Sequence, residues 1–152
     1  MKAITWLASC SVGFAVVSSA AIAAPHDGWS ADLDKALAQA KKENKAVLVE
    51  FTGSDWCPPC MMMRKEVFSK KEFVEKASKQ YILVEIDVPK GDKAVAEKNR
   101  PLVEKYKVDG FPTIMLLDSA GKEFARFYAS EHPSIEAFLG RLNKELERKD
   151  LD

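Results

Sequence analysis

The chain has 152 residues, about one domain's worth, and 47% of them are hydrophobic, enough for a core, while 30% charged residues exclude a body embedded in a membrane. Lys plus Arg and Asp plus Glu stand at 23 each. No basic excess calls for nucleic acid and no acidic excess for a cation store, so no nucleic-acid partner is expected, and particular residues must name the function.

Between Lys2 and Asp27 there is no charged side chain, and the apolar, small-residue run ends in Ala21-Ile22-Ala23. A charged start, an apolar middle and a small-residue exit mark an export signal. Residues 1–23 are therefore predicted to be a signal peptide and residues 24–152 the domain that remains. Retention as an anchor is the competing reading, because the uncharged run approaches the roughly 20 residues that span a bilayer. Leu7-Ala8-Ser9-Cys10 has the look of a lipoprotein box but arrives too early to leave an apolar stretch before the cut. Cleavage removes Lys2 and Cys10, leaving 22 basic residues against 23 acidic ones and two thiols, Cys57 and Cys60. The expected location is the periplasm, where disulfides persist, with no stable membrane insertion after cleavage.

Ser30 is a candidate N-cap for a helix that carries Leu33, Ala36, Leu37 and Ala40 at helical spacing, with acids early and lysines late. Ala46 to Phe51 is a short, almost wholly apolar run rich in valine, the pattern of a strand buried on both faces. The Cys57-Pro58-Pro59-Cys60 turn follows and opens a helix. Ser69 and Glu72 have capping-box spacing, which predicts a further helical segment from about Lys70. Tyr81 to Val88 reads as a second buried strand, and Asp92 to Val108 as a helical pattern interrupted by Pro101. Thr113–Asp118 and Glu123–Ala129 flank a turn and predict a hairpin. A last helix places Ile135, Phe138, Leu139, Leu142 and Leu146 on one face. Alternating helix and strand closed by a hairpin predicts an α/β class with a mixed sheet.

A disulfide framework uses cysteines far apart, because closing a long loop constrains the unfolded chain most. A bridge between Cys57 and Cys60 stabilises little. The pair instead suits exchange chemistry: the first sulfur at a helix start has its thiolate stabilised by the dipole and free N–H groups, and the second lies one turn inward, in reach of a mixed disulfide. Zinc also uses Cys-X-X-Cys, but it normally takes four ligands, and His26 and His132 stand far apart in the sequence. No metal is expected. About fifty residues on, Gly110-Phe111-Pro112-Thr113 begins a third buried strand, where proline predicts a cis bond or an edge position.

With these two motifs the chain resembles the thioredoxin superfamily, over residues 29 to 148. Its lead-in to Trp56-Cys57 is similar to the exported thiol:disulfide interchange proteins of the DsbH and DsbD C-terminal type. The resemblance implies a thioredoxin fold, a central mixed sheet flanked by helices, with Cys57 as nucleophile and Cys60 as resolving thiol. It implies that Pro112 is a cis-proline beside which Phe111 offers backbone hydrogen bonds to an extended substrate, and that Trp56, Pro58 and Pro59 border the substrate. It also implies protein-disulfide substrates, a DsbD-like membrane electron donor and no dissociable cofactor. With no second domain for dimerisation, a monomer is expected.

Cytoplasmic thioredoxins carry a buried Asp six residues before the nucleophile, where this chain has Phe51. The nearest acid is Glu50. If it points under the cysteines, burial raises its pKa and lets it exchange a proton with Cys60; otherwise it is a solvated or paired strand residue. Asp55 is the weaker candidate, a loop acid. Met61, Met62 and Met63 invite a Cu(I)-binding alternative, since thioethers and thiolates are soft ligands. Three consecutive helical residues point three ways, however, so at least one is expected in the core and another at the substrate-facing surface.

Overall fold

A computed structural model of the protein describes residues 25–151, so the expected signal peptide, residues 1–23, lies outside the described residues. β1 (Ala46–Thr52) runs parallel to β2 (Tyr81–Asp87) and antiparallel to β3 (Thr113–Leu117), and β4 (Glu123–Tyr128) closes the order β2-β1-β3-β4. The expected mixed sheet forms, and every residue of β1, β2 and β3 is buried. α1 (Leu33–Glu43) and α4 (Lys93–Lys105) cover one face, whose core joins Leu33, Ala36 and Ala40 to Val47, Val49 and Phe51. α2 (Pro58–Met63), α3 (Lys71–Ala77) and α5 (Ile135–Leu151) cover the other, where Met63, Phe68, Phe73 and Phe138 meet Leu48 and Leu116.

Alternation along a strand assigns the remaining residues. Phe51 belongs with Val47 and Val49, so Glu50 and Thr52 share the face of Ala46 and Leu48, beneath the helix that starts at the cysteines. On β2, Glu85 and Asp87 follow Tyr81 and Leu83 onto that same face.

Three expectations change. Ser30 does not cap α1: its N–H donates to the Leu83 carbonyl and its carbonyl accepts from Glu85 N–H, both at 2.9 Å, so it is a one-residue extension of the sheet beside β2. Asp32 caps instead, accepting from Lys35 N–H at 3.0 Å. The Ser69–Glu72 capping box is not made. Ser69 Oγ donates to the Arg64 carbonyl at 2.7 Å, closing a π-helical stretch, Arg64–Phe68, that continues α2, while Glu72 pairs with Lys76 at 2.7 Å. α4 runs unbroken through Pro101, because Asp92 caps its start and Ala96, Leu102 and Val103 seat it on the sheet; the Asn99 amide donates to the Asp87 carbonyl at 2.7 Å. Tertiary packing outweighs the one N–H that proline removes.

The hairpin forms as predicted. Asp118 Oδ1 accepts from Ala120 and Lys122 N–H at 2.9 Å each, and Gly121 takes φ of 84°, a region open to glycine.

Candidate active site

The loop Gly53–Trp56 turns the chain from β1 into α2, with Cys57 N–H donating to the Gly53 carbonyl at 3.0 Å. Cys57 is the N-cap of α2, in extended conformation, and Pro58 and Pro59 occupy its first two positions. Neither proline has an N–H, so the first backbone donor of the helix is Cys60 N–H, which reaches Cys57 Sγ at 3.3 Å. The two sulfurs are joined in a disulfide. Cys57 is 4% exposed and Cys60 1%.

Of the residues expected to border the substrate, Trp56 and Phe111 meet in direct contact. Trp56 donates its indole N–H to the Val88 carbonyl at 2.8 Å and meets Phe111 edge-on at 5.5 Å. Its ring lies over Gly53, where any Cβ would collide with it, which accounts for glycine there. Lys90 Nζ sits 5.2 Å from the indole centre, and a groove of about 430 Å³ between Trp56, Val88, Pro89, Lys93 and Val103 continues the surface away from the sulfurs. The Phe111–Pro112 bond is cis, and Pro112 immediately precedes β3, a central strand, so the edge-position alternative does not hold. The Pro112 carbonyl accepts from Ala129 N–H at 3.0 Å. Pro58 is exposed and Pro59 half-buried.

The methionines diverge as expected: Met63 is in the core, while Met61 and Met62 are 42% and 40% exposed beside the cysteines. With Met63 turned inward, the three thioethers share no common side. Asp55 clasps the neighbouring loop, accepting from Lys90 and Gly91 N–H at 2.9 and 2.6 Å, and the Lys90 bond first among these holds its carboxyl below the usual range.

Beneath the cysteine-bearing helix the sheet is acidic. Glu50 is 1% exposed, and burial first, then the charge of Glu85, raises its carboxyl well above the usual range, with Arg64 opposing. The solvated-strand alternative therefore falls. Glu85 lies beside it in register. One step toward the site, Asp87 accepts from Ser54 N–H at 2.9 Å and from the Ser54 hydroxyl; burial raises its carboxyl too. The buried His26 brings Nε2 to 2.9 Å from Glu85 Oε2. The sequence did not single out Glu85, and it offered His26 only as an isolated candidate zinc ligand. Glu85 carries the signal that marked Glu50, an acid inside an apolar strand; His26 carries none.

A parallel pair and an antiparallel hairpin in one sheet, with a Cys-X-X-Cys disulfide at a helix start and a cis-proline loop before a central strand, define a thioredoxin-fold domain with a dithiol/disulfide site. A model of the thioredoxin-like domain family matches residues 33–144, and the chain belongs to that family. Among curated proteins it is 36% identical over 108 residues to the disulfide bond reductase DsbH of Chlamydia pneumoniae, covering 69% of this chain and 64% of that protein. It is 36% identical over 93 residues to the thiol:disulfide interchange protein DsbD 2 of Pseudomonas aeruginosa, covering 61% of this chain and 15% of that protein. The chain thus spans less than two thirds of the length of either relative. A solved DsbH oxidoreductase superposes with a TM-score of 0.70 at 29% identity, covering 90% of this chain and 95% of that one.

Proposed function

We propose that the protein is an exported thiol:disulfide oxidoreductase that reduces protein disulfides. In this reading reduced Cys57 attacks a client disulfide, a mixed disulfide forms, and Cys60 attacks Cys57 Sγ to release the client as a dithiol. Trp56, Pro58, Pro59, Phe111 and Pro112 border the client segment, and Glu50 takes the proton from Cys60. The name of its DsbH relative, a disulfide bond reductase, favours a reductive direction, and the same reading includes a periplasmic setting and a DsbD-like electron donor. Among the described residues no helix is long and apolar enough to cross a membrane.

The observation that carries the direction is the donor set at Cys57. Two prolines leave Cys60 N–H as the backbone partner of the sulfur, so a Cys57 thiolate is less stabilised than at a helix start with a full set of donors. A less stable thiolate favours the disulfide, and a protein whose disulfide is favoured gives electrons away. Equilibration with glutathione, read by tryptophan fluorescence, should place the potential at about −200 to −270 mV. A value above about −150 mV would make the protein an oxidant and end this reading. No observation favours the Cu(I)-binding alternative.

A further inference from the structure

Two buried groups on the acidic face are not used by exchange at the sulfurs. Register sets Glu85 beside Glu50 on neighbouring parallel strands. The segment before α1 then runs along the outer edge of β2, pinned by the two Ser30 hydrogen bonds. Trp29 anchors it, stacked on Phe73, edge-on to Phe68, and donating its indole N–H to the Phe68 carbonyl at 3.2 Å. A turn closed by Trp29 N–H and the His26 carbonyl at 2.9 Å directs the imidazole inward, edge-on to Trp29 at 5.7 Å.

Functional atoms of His26, Glu50 and Glu85 lie within 4.8 Å of one another, all three residues buried. Glu50 Oε2 and Glu85 Oε2 have no aligned hydrogen bond, although the imidazole stands 2.9 Å from the latter. The other charges facing Glu50 are Arg64, from the helical stretch after the cysteines, and Asp87, from β2. Two carboxyls and an imidazole at this spacing in a dry interior are costly unless they share protons.

We propose that Glu85 and His26 form a relay that carries the proton taken from Cys60 by Glu50 out to water at the turn by Pro25 and Asp27. Both are positioning residues, acting on the reaction through Glu50. The inference rests on the disulfide-exchange reading above. During resolution the Cys60 S–H bond breaks and its proton passes to the Glu50 carboxylate. The Cys60 sulfur bonds to Cys57 Sγ as the Cys57–client bond breaks, and the client leaves as a thiolate that takes a proton from water. Two electrons pass from the protein dithiol to the client disulfide. The proton on Glu50 moves through Glu85 to His26 and into solvent, restoring the carboxylate. Burial would otherwise hold that proton on Glu50, so a route that drains it governs readiness for the next cycle.

Single-turnover mixing of the reduced protein, in EDTA, with an aromatic disulfide tests this. One coloured thiolate is released when Cys57 attacks and a second when Cys60 resolves. His26→Gln and Glu85→Gln should slow the second release about five- to tenfold at about pH 6 to 7, less than the loss of a group that takes the proton itself. The deficit should close by about pH 8.5, where hydroxide deprotonates Cys60 directly. Second-release rates within about twofold of wild type at every pH, in a protein whose wild type resolves, overturn the relay alone. Uniform slowing without convergence overturns it as well, since it reports disturbed packing rather than a proton route. If His26→Gln loses the fold, Glu85→Gln decides by itself. A wild type that releases no second thiolate defeats the exchange reading, and the relay falls with it.

Discussion

The two faces of the sheet are built from the same three buried strands, β1, β2 and β3, and end differently. Under α1 and α4 the face of these strands carries no acid, with Val47, Val49, Phe51, Val84, Ile86, Met115 and Leu117 in one cluster and a single polar member, Thr113, whose hydroxyl donates to the Gly110 carbonyl at 2.7 Å. Under α2, α3 and α5 it starts apolar, at Ala46, Leu48, Tyr81 and Leu83, and turns acidic toward the cysteines, at Glu50, Glu85 and Asp87. Apolar residues at those three positions would suit a buried sheet better, because burying a carboxyl without full partners costs free energy. One face is organised for stability, and the other gives up stability where it adjoins the sulfurs. A buried titratable group close to a reactive pair is where chemistry is to be sought.

The contrast can be broken first at the sulfurs themselves. Cys57→Ser should abolish insulin reduction, and Cys60→Ser should trap the client on Cys57 as a mixed disulfide visible on a non-reducing gel. Either variant should keep the wild-type circular dichroism spectrum, since neither changes the packing of the sheet.

On the apolar face, Phe51→Ala removes a fully buried ring packed 6.1 Å from Tyr106. It should cost about 3–5 kcal/mol in denaturant unfolding while leaving the reduction potential unchanged.

On the acidic face the signs reverse. Glu50→Gln should slow release of the mixed disulfide about 10²-fold near neutral pH, yet raise stability. The folded protein holds the Glu50 proton more tightly than the unfolded chain does, so this group favours the fold below the ordinary carboxylate range and opposes it as pH rises toward the folded value. The stability gain of the variant should therefore be near zero at about pH 4 and grow toward about pH 8, to the order of 1–3 kcal/mol. A gain that is independent of pH would remove the distinction drawn between the faces.

The smallest effect is expected at the dipeptide. Pro59→His should raise the potential by tens of millivolts, about 30 mV for each 1.4 kcal/mol, by adding a partner for the Cys57 thiolate. A lowered potential would mean that the prolines do not act through the donor set.

Much of this was legible before the fold. Valine-rich runs free of turn residues placed β1 and β2, helical spacing placed α1 and α5, and a proline ahead of a strand pointed to the cis bond at Phe111–Pro112. The local errors share a cause. Ser30 and Ser69 both carry cap chemistry, but Ser30 has its backbone taken by β2 and Ser69 its hydroxyl taken by Arg64. Pro101 has breaker chemistry in a helix held at its start and along its buried side. Each is a local preference overridden by a contact from elsewhere.

What the sequence by itself determined is the short-range part: the order of strands and helices, the cysteine pair with its two prolines at a helix start, and an acid inside the first strand. These depend on periodicity and backbone chemistry within a few residues. Tertiary structure alone decided which groups that acid meets. Glu50 and Glu85 become neighbours through parallel register, and His26 joins them because Ser30 pairs with the edge of β2 and Trp29 seats the segment in the core. Strand register and edge pairing join positions far apart in the chain, and no local pattern at residue 26 encodes which strand edge it will meet.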